Sequence, residues 1–229
     1  MDRHDSYRVL VAKRKAHVFP PGLLNPSRIE GGRFDSQHLG PWSRWQGDLN
    51  ADVVVVGQDW GDRAAFIKDE GIDSDQEQPG ANLSAMALSG GWDIGRPHAP
   101  VPQQLFLTHA VLGIRETNAR SGPLPAAWIE DSLPFLVALL RIVQPRALVS
   151  LGSVAYRACR LAMHGKERDL HLPVDGPLTK LRQLNPICCP GKPDWFVFSH
   201  CGPLGLANRS RELQLQDWEQ LGEWLRLRD

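Results

Sequence analysis

Three polar residues each stand at the end of an apolar, β-rich run: Asp59 after "ADVVVVGQ", His109 after "QLFLT" and His200 after "WFVFS". A carboxylate and two imidazoles are side chains that can stabilise charge or move a proton at a reacting group. Each has a simpler role when taken alone. Asp59 could cap a helix, and His109 and His200 could be satisfied near the core. Three such residues at three strand ends point instead to one shared crevice, because ligands of open α/β sheets bind outside the carboxyl ends of the strands. The first stretch continues as Gly57-Gln58-Asp59-Trp60-Gly61, and the third as His200-Cys201-Gly202-Pro203-Leu204-Gly205. Gly57 is expected to let the strand turn sharply, and Gly61 to allow close backbone approach to a ligand. Neither the G-x-G-x-x-G fingerprint nor a lysine-bearing P-loop is present, so nucleotide binding is weakly supported.

The elements that must position these residues follow from periodicity. Val53–Val56 is a continuous β-branched run, the pattern of a strand buried on both faces. Leu105–Thr108, Arg146–Gly152 and Trp195–His200 read as three more strands. Pro125 opens a helix with Ile129, Leu133, Phe135, Leu136, Leu139, Leu140 and Val143 at helical spacing, and Pro145 ends it. Ser153 is expected to cap a helix running to about Met163. Residues 62–70 could start a helix, a short one is possible at Asn82–Leu88, and Glu212–Leu227 forms the last. Strands alternating with helices predict a single-domain α/β fold: a three-layer α/β/α sandwich with a central, mainly parallel four-stranded sheet. The Pro- and Gly-rich opening suggests an irregular N-terminal segment over residues 1–50, packed on a domain over 51–229. Trp42 and Trp45 are expected to cover one end of the core. The basic run "AKRKAH" reads as a solvated face.

Composition narrows the function. Lys plus Arg and Asp plus Glu are each 26 in 229 residues, so the net charge is zero and any electrostatic footprint for nucleic acid must be local. No run approaches the roughly 18 apolar residues of a membrane span. The opening residues lack a secretory leader's apolar stretch, so a cytoplasmic location is the expectation. The four cysteines form no C-x-x-C pair and read as reduced thiols, with no metal or other cofactor implied.

The same three stretches resemble the motifs of the uracil-DNA glycosylase superfamily. "VVVVGQDWG" is similar to the GQDPY motif of family one, "LFLTHAVLGIR" to its LLLNAVLTVR, and "SHCGPLG" to its HPSPLS. "EDSLPFLVALLRIVQPRALVSLGSVAY" looks more like the family-four enzymes. The resemblance spans residues 51–228. It implies a metal-independent DNA glycosylase that extrudes the target nucleotide into a pocket. Asp59 would stabilise the sugar cation and position a water. Gln58 would contact the base, and His200 would donate a hydrogen bond to the departing base. Leu204, flanked by Gly202 and Gly205, would wedge into the space that the base vacates. Asn208, Arg209 and Arg211 at the start of the last helix would meet a phosphate.

The departures from the motifs carry their own implications. Trp60 replaces the Pro of GQDPY, Gly61 replaces its Tyr, and His109 replaces the asparagine that reads uracil. The aromatic that would stack on the base is open among Phe66, Trp60 and Trp92. The N-terminal cysteines of the family-four iron–sulfur cluster are absent, so no cluster is expected. Implied partners are DNA containing a damaged base and no membrane, with the protein a monomer. The rival readings are a non-catalytic DNA- or modified-base-binding module of the same fold, and an unrelated α/β hydrolase or nucleotide-binding protein. The last lacks a G-x-S-x-G elbow.

Overall fold

The computed structural model describes residues 2–40, 48–72, 78–96, 99–100, 105–117, 124–165 and 177–228. Trp42 and Trp45 lie outside them. Four strands form the central sheet: β1 (Val53–Gly57), β2 (Leu105–His109), β3 (Ala147–Leu151) and β4 (Asp194–Phe198), in the order β2-β1-β3-β4 and all parallel. Val53 to Gly57 pair in register with Leu105 to His109, so the ends of β1 and β2 lie side by side.

Side chains alternate between two faces, as the strand period of two requires. Val54, Val56, Phe106, Leu148, Trp195 and Val197 join one cluster with residues from helices α1 (Arg3–Ala16), α4 (Ala126–Val143) and α5 (Gly152–His164). Val53, Val55, Leu105, Leu107, Val149, Phe196 and Phe198 join the other, with α3 (Gln78–Ser89) and α8 (Arg211–Arg226). The result is the expected three-layer sandwich. Three short helices complete the set among the described residues: α2 (Arg63–Lys68), α6 (Leu178–Arg182) and α7 (Pro203–Asn208).

The N-terminal segment is more regular than its composition suggests. α1 is a 14-residue helix capped by the Asp2 side chain, which accepts from the Asp5 amide. It buries Tyr7, Leu10, Val11 and Arg14, a helical stripe hidden in the sequence by the surrounding charge. Within "AKRKAH", Arg14 is therefore not solvated. It pairs with Asp35 at 2.7 Å and donates to the His38 carbonyl at 2.8 Å. Leu23–Leu24 pairs antiparallel with Ile114–Arg115, tying this segment to the chain just beyond His109.

One local expectation is corrected. Ser153 does not cap α5. β3 runs straight into that helix, whose N-cap is Leu151 with no side-chain cap bond, and the chain turns at Gly152 with φ +88°, so Ser153 already lies inside the helix. The glycine-rich stretch after β4 holds a helix, α7, because Gly202 takes the N-cap position and Pro203 supplies a preset first turn.

Candidate active site

The loop after β1 is fixed by the segment after β2. The Gly57 carbonyl accepts from the Ala110 amide at 2.8 Å, that of Gln58 from Val111 at 3.0 Å, and that of Gly61 from Arg115 at 3.0 Å. Gly57 itself stays extended, in register with His109, so it does not make the sharp turn expected of it. The unusual backbone is at Gly61, with φ +136°, where a Cβ would meet nothing within 4 Å. The open space lies there, and the left-handed conformation keeps it open by disfavouring any larger residue.

Asp59 is not a helix cap. That role belongs to Asp62, whose carboxylate accepts from the Ala65 amide at 2.9 Å at the start of α2. The Asp59 side chain is 7% exposed, and its Oδ2 lies 3.2 Å from Arg115 Nε. Burial pushes its pKa up, while Arg115 and a hydrogen bond from Gln58 pull it down and Asp62 adds to the rise. The net effect is upward: desolvation outweighs the pull of the one guanidinium beside the carboxyl. Arg115 is a site residue that motif matching passed over. The available signal was a lone cation closing the apolar run "AVLGI".

His200 lies two residues beyond β4. The Gly202 amide donates to its Nδ1 at 2.9 Å. That bond makes Nδ1 an acceptor, so the neutral ring carries its proton on Nε2. Burial lowers the His200 pKa, which favours this neutral state. Gly202 is required by contact, since a Cβ there would sit 2.9 Å from His200 Nδ1. Gly205 is required more strongly, because its Cβ would fall 1.6 Å from the His200 carbonyl oxygen. Both glycines thus shape the His200 loop directly. Asn82 in α3 donates to the Cys201 carbonyl at 2.9 Å.

His109 is only 2% exposed. Burial first, and then the neighbouring His200, depress its pKa to about 3, so its ring is neutral at working pH. His109 ends β2 and His200 follows β4, so both imidazoles stand at the carboxyl end of the sheet. Among the three candidate stacking aromatics, Phe66 is fully buried and Trp92 packs edge-on against Trp218 between α3 and α8. Trp60 keeps partial exposure and meets Phe66 edge-on at 5.3 Å.

Leu204, in α7, is 82% exposed, an unusual degree for a leucine. Asn208 is exposed and donates from its side chain to the Leu204 carbonyl at 2.7 Å. Arg211 is exposed at the start of α8. Arg209 turns inward, and its Nε and Nη2 each meet a carboxylate oxygen of Asp217 at 2.6 Å. If Leu204 fills the stack left by an extruded base, a Leu204→Ala variant loses activity on duplex more than on single strands, since only duplex has a vacated stack to fill. Parallel rate measurements on the two substrates check this, and an equal loss on both would refute the wedge role.

Among the described residues, no cluster of three or more His, Cys, Asp or Glu side chains is placed to hold a metal ion. No helix there is long and apolar enough to cross a membrane. The cysteines are free thiols, with Cys159, Cys189 and Cys201 buried and Cys188 exposed.

A three-layer α/β/α sandwich with a buried carboxylate and two neutral imidazoles at the carboxyl end of its parallel sheet defines the class. A family model described as the Uracil DNA glycosylase superfamily matches residues 45–222, and the chain belongs to that superfamily. Membership supports DNA as the partner and glycosylase hydrolysis in general terms. No individual curated protein gives a significant match.

Proposed function

We propose that the protein hydrolyses the N-glycosidic bond of uracil or a related deaminated base in DNA. The observation that carries this reading is the Gly202 amide on His200 Nδ1, which leaves Nε2–H as a fixed donor. As the bond from the sugar C1′ to the base nitrogen breaks, its electron pair leaves with the base. Negative charge gathers on a base carbonyl oxygen, where the Nε2–H of His200 donates to it. Positive charge gathers on the sugar, where the Asp59 carboxylate stabilises it and orients a water for attack at C1′. Water supplies hydroxide to the sugar and a proton to the base.

The target base is set by His109 and Gly61. An asparagine amide accepts from the ring N–H of uracil and donates to the adjacent carbonyl. A neutral imidazole offers one nitrogen from one edge and cannot repeat that two-point reading. The open space at Gly61 leaves room for a substituent at the fifth ring position. The enzyme is therefore expected to be slower on uracil than family-one enzymes and more tolerant of 5-substituted or other deaminated bases, with His109→Asn shifting preference back toward uracil. Oligonucleotides bearing uracil, 5-hydroxymethyluracil, hypoxanthine and thymine test this. Strict uracil specificity, unchanged in His109→Asn, would sink it. Binding without release of any of the four bases would favour the non-catalytic module, the reading to which His109 and Trp60 lend weight.

A further inference from the structure

Among the described residues, one cation beside the His200 loop pairs with no carboxylate. Arg182 closes α6, and its Nη1 donates to Ser199 Oγ at 2.5 Å. Ser199 is the residue before His200. Arg182 reaches it because the following segment runs along the free edge of β4. Ile187 and Trp195 exchange two backbone hydrogen bonds, at 2.8 and 3.0 Å. The Asn185 side chain then takes both backbone groups of Val197, accepting from the amide at 2.8 Å and donating to the carbonyl at 3.0 Å. Arg182 on Ser199 is the next step. The contacts move two residues at a time toward the carboxyl end of the strand and deliver the guanidinium to the end of the sheet where ligands bind.

A second guanidinium lies close by. Arg209 is the C-cap of α7, the helix that carries Leu204, and it occupies both oxygens of Asp217. That carboxylate is thus committed to Arg209. Among the described residues, Arg182 forms no ion pair. Its pKa is lowered by burial and then by Arg209, with Asp217 only partly opposing. Such an under-compensated, planar, multi-donor cation suits a phosphate oxygen pair.

We infer that Arg182 binds a phosphodiester of the DNA backbone next to the extruded nucleotide, held in aim by Ser199 and reinforced by the charge of Arg209. This inference rests on the proposed function only in taking DNA as the ligand. It also reassigns the phosphate contact from Arg209, which sequence spacing favours, to a residue 27 positions earlier in the chain.

The test uses the full chain and a duplex containing a stable abasic-site analogue, so binding is read without any cleavage. Single methylphosphonates, which remove one backbone charge, are placed in turn on either side of the analogue. The parent protein is expected to lose about tenfold in affinity at one flanking position, roughly the 1.4 kcal/mol of one charge-assisted contact. Arg182→Gln should lose a similar amount on the unmodified duplex and little more on that methylphosphonate. Its slope of log affinity against log salt should shrink by about 0.9, while Arg182→Lys keeps the parent slope. A parent protein indifferent to every flanking methylphosphonate overturns the inference, whatever the variants do. So does an Arg182→Gln variant that is folded by circular dichroism and keeps the parent's full sensitivity. A protein that shows the methylphosphonate effect yet releases no base would retain the phosphate site and lose the glycosylase reading instead.

Discussion

A His200→Ala variant is expected to lose about a hundred- to a thousandfold in the single-turnover rate on a uracil-bearing duplex, the usual cost of removing one preorganised donor to a developing oxyanion. Binding to the same duplex should change little, because the lost hydrogen bond strengthens only as charge builds on the base. The arrangement around His200 is costly to build for any other purpose. Gly202 aims an amide at Nδ1, and a side chain at Gly202 or Gly205 would collide with the ring or with the residue's own carbonyl. A fixed Nε2–H is the product of all three contacts. Gly202→Ala should therefore lower the rate by disturbing the ring even with the histidine present. A His200→Ala variant as fast as the parent would leave the donor role without support.

The second large effect belongs to Asp59. Asp59→Asn should lower the chemical rate by tenfold or more, about 1.4 kcal/mol of barrier per tenfold, with DNA binding nearly intact. The pH profile separates this role from a packing role. Because burial raises the Asp59 pKa, the ionised, active form appears only above the ordinary carboxylate range. The parent's rate should rise with pH through that raised value, and the Asn variant should lack the limb. His200, with a lowered pKa, does not move the limb upward.

Stability should change in the opposite sense to activity. A carboxyl whose folded-state pKa lies above its unfolded value binds protons more tightly when folded. Its ionisation thus costs stability at neutral pH, and that cost disappears below the unfolded pKa. Asp59→Asn removes the cost, so the variant's Tm at pH 7 should rise. The loss of Arg115's partner opposes this, but it is the smaller of the two influences on Asp59. A lower Tm together with an unchanged rate would make Asp59 a structural partner of Arg115 and nothing more.

The sheet was legible in the sequence because each of its strands is a short, nearly unbroken apolar run. Val53–Val56 falls one residue short of the observed strand, and Leu105–Thr108 likewise. Long-range pairing was not legible. α1 escaped notice because its buried stripe includes Arg14, whose partners in the core, Asp35 and the His38 carbonyl, lie more than twenty residues further on. Arg115 and Asp59 are 56 residues apart in the chain, and no local pattern joins them. The tautomer of His200 had a local signal, a glycine two residues later, but its meaning depends on where the Gly202 amide points. Arg209 stood with Asn208 and Arg211 as a phosphate contact by position, and its pairing with Asp217 had no local signal.

The proposed activity is cleavage of the glycosidic bond of a deaminated base, with Asp59 and His200 as the working pair. Purified protein is incubated with a duplex carrying one uracil, the strand is treated with alkali, and cleavage at that position is followed for the parent and for Asp59→Asn and His200→Ala. Alkali-dependent cleavage by the parent and strong slowing in both variants are expected. Cleavage that persists at the parent rate in both variants, or a parent that leaves uracil and every other deaminated base in place, would contradict it.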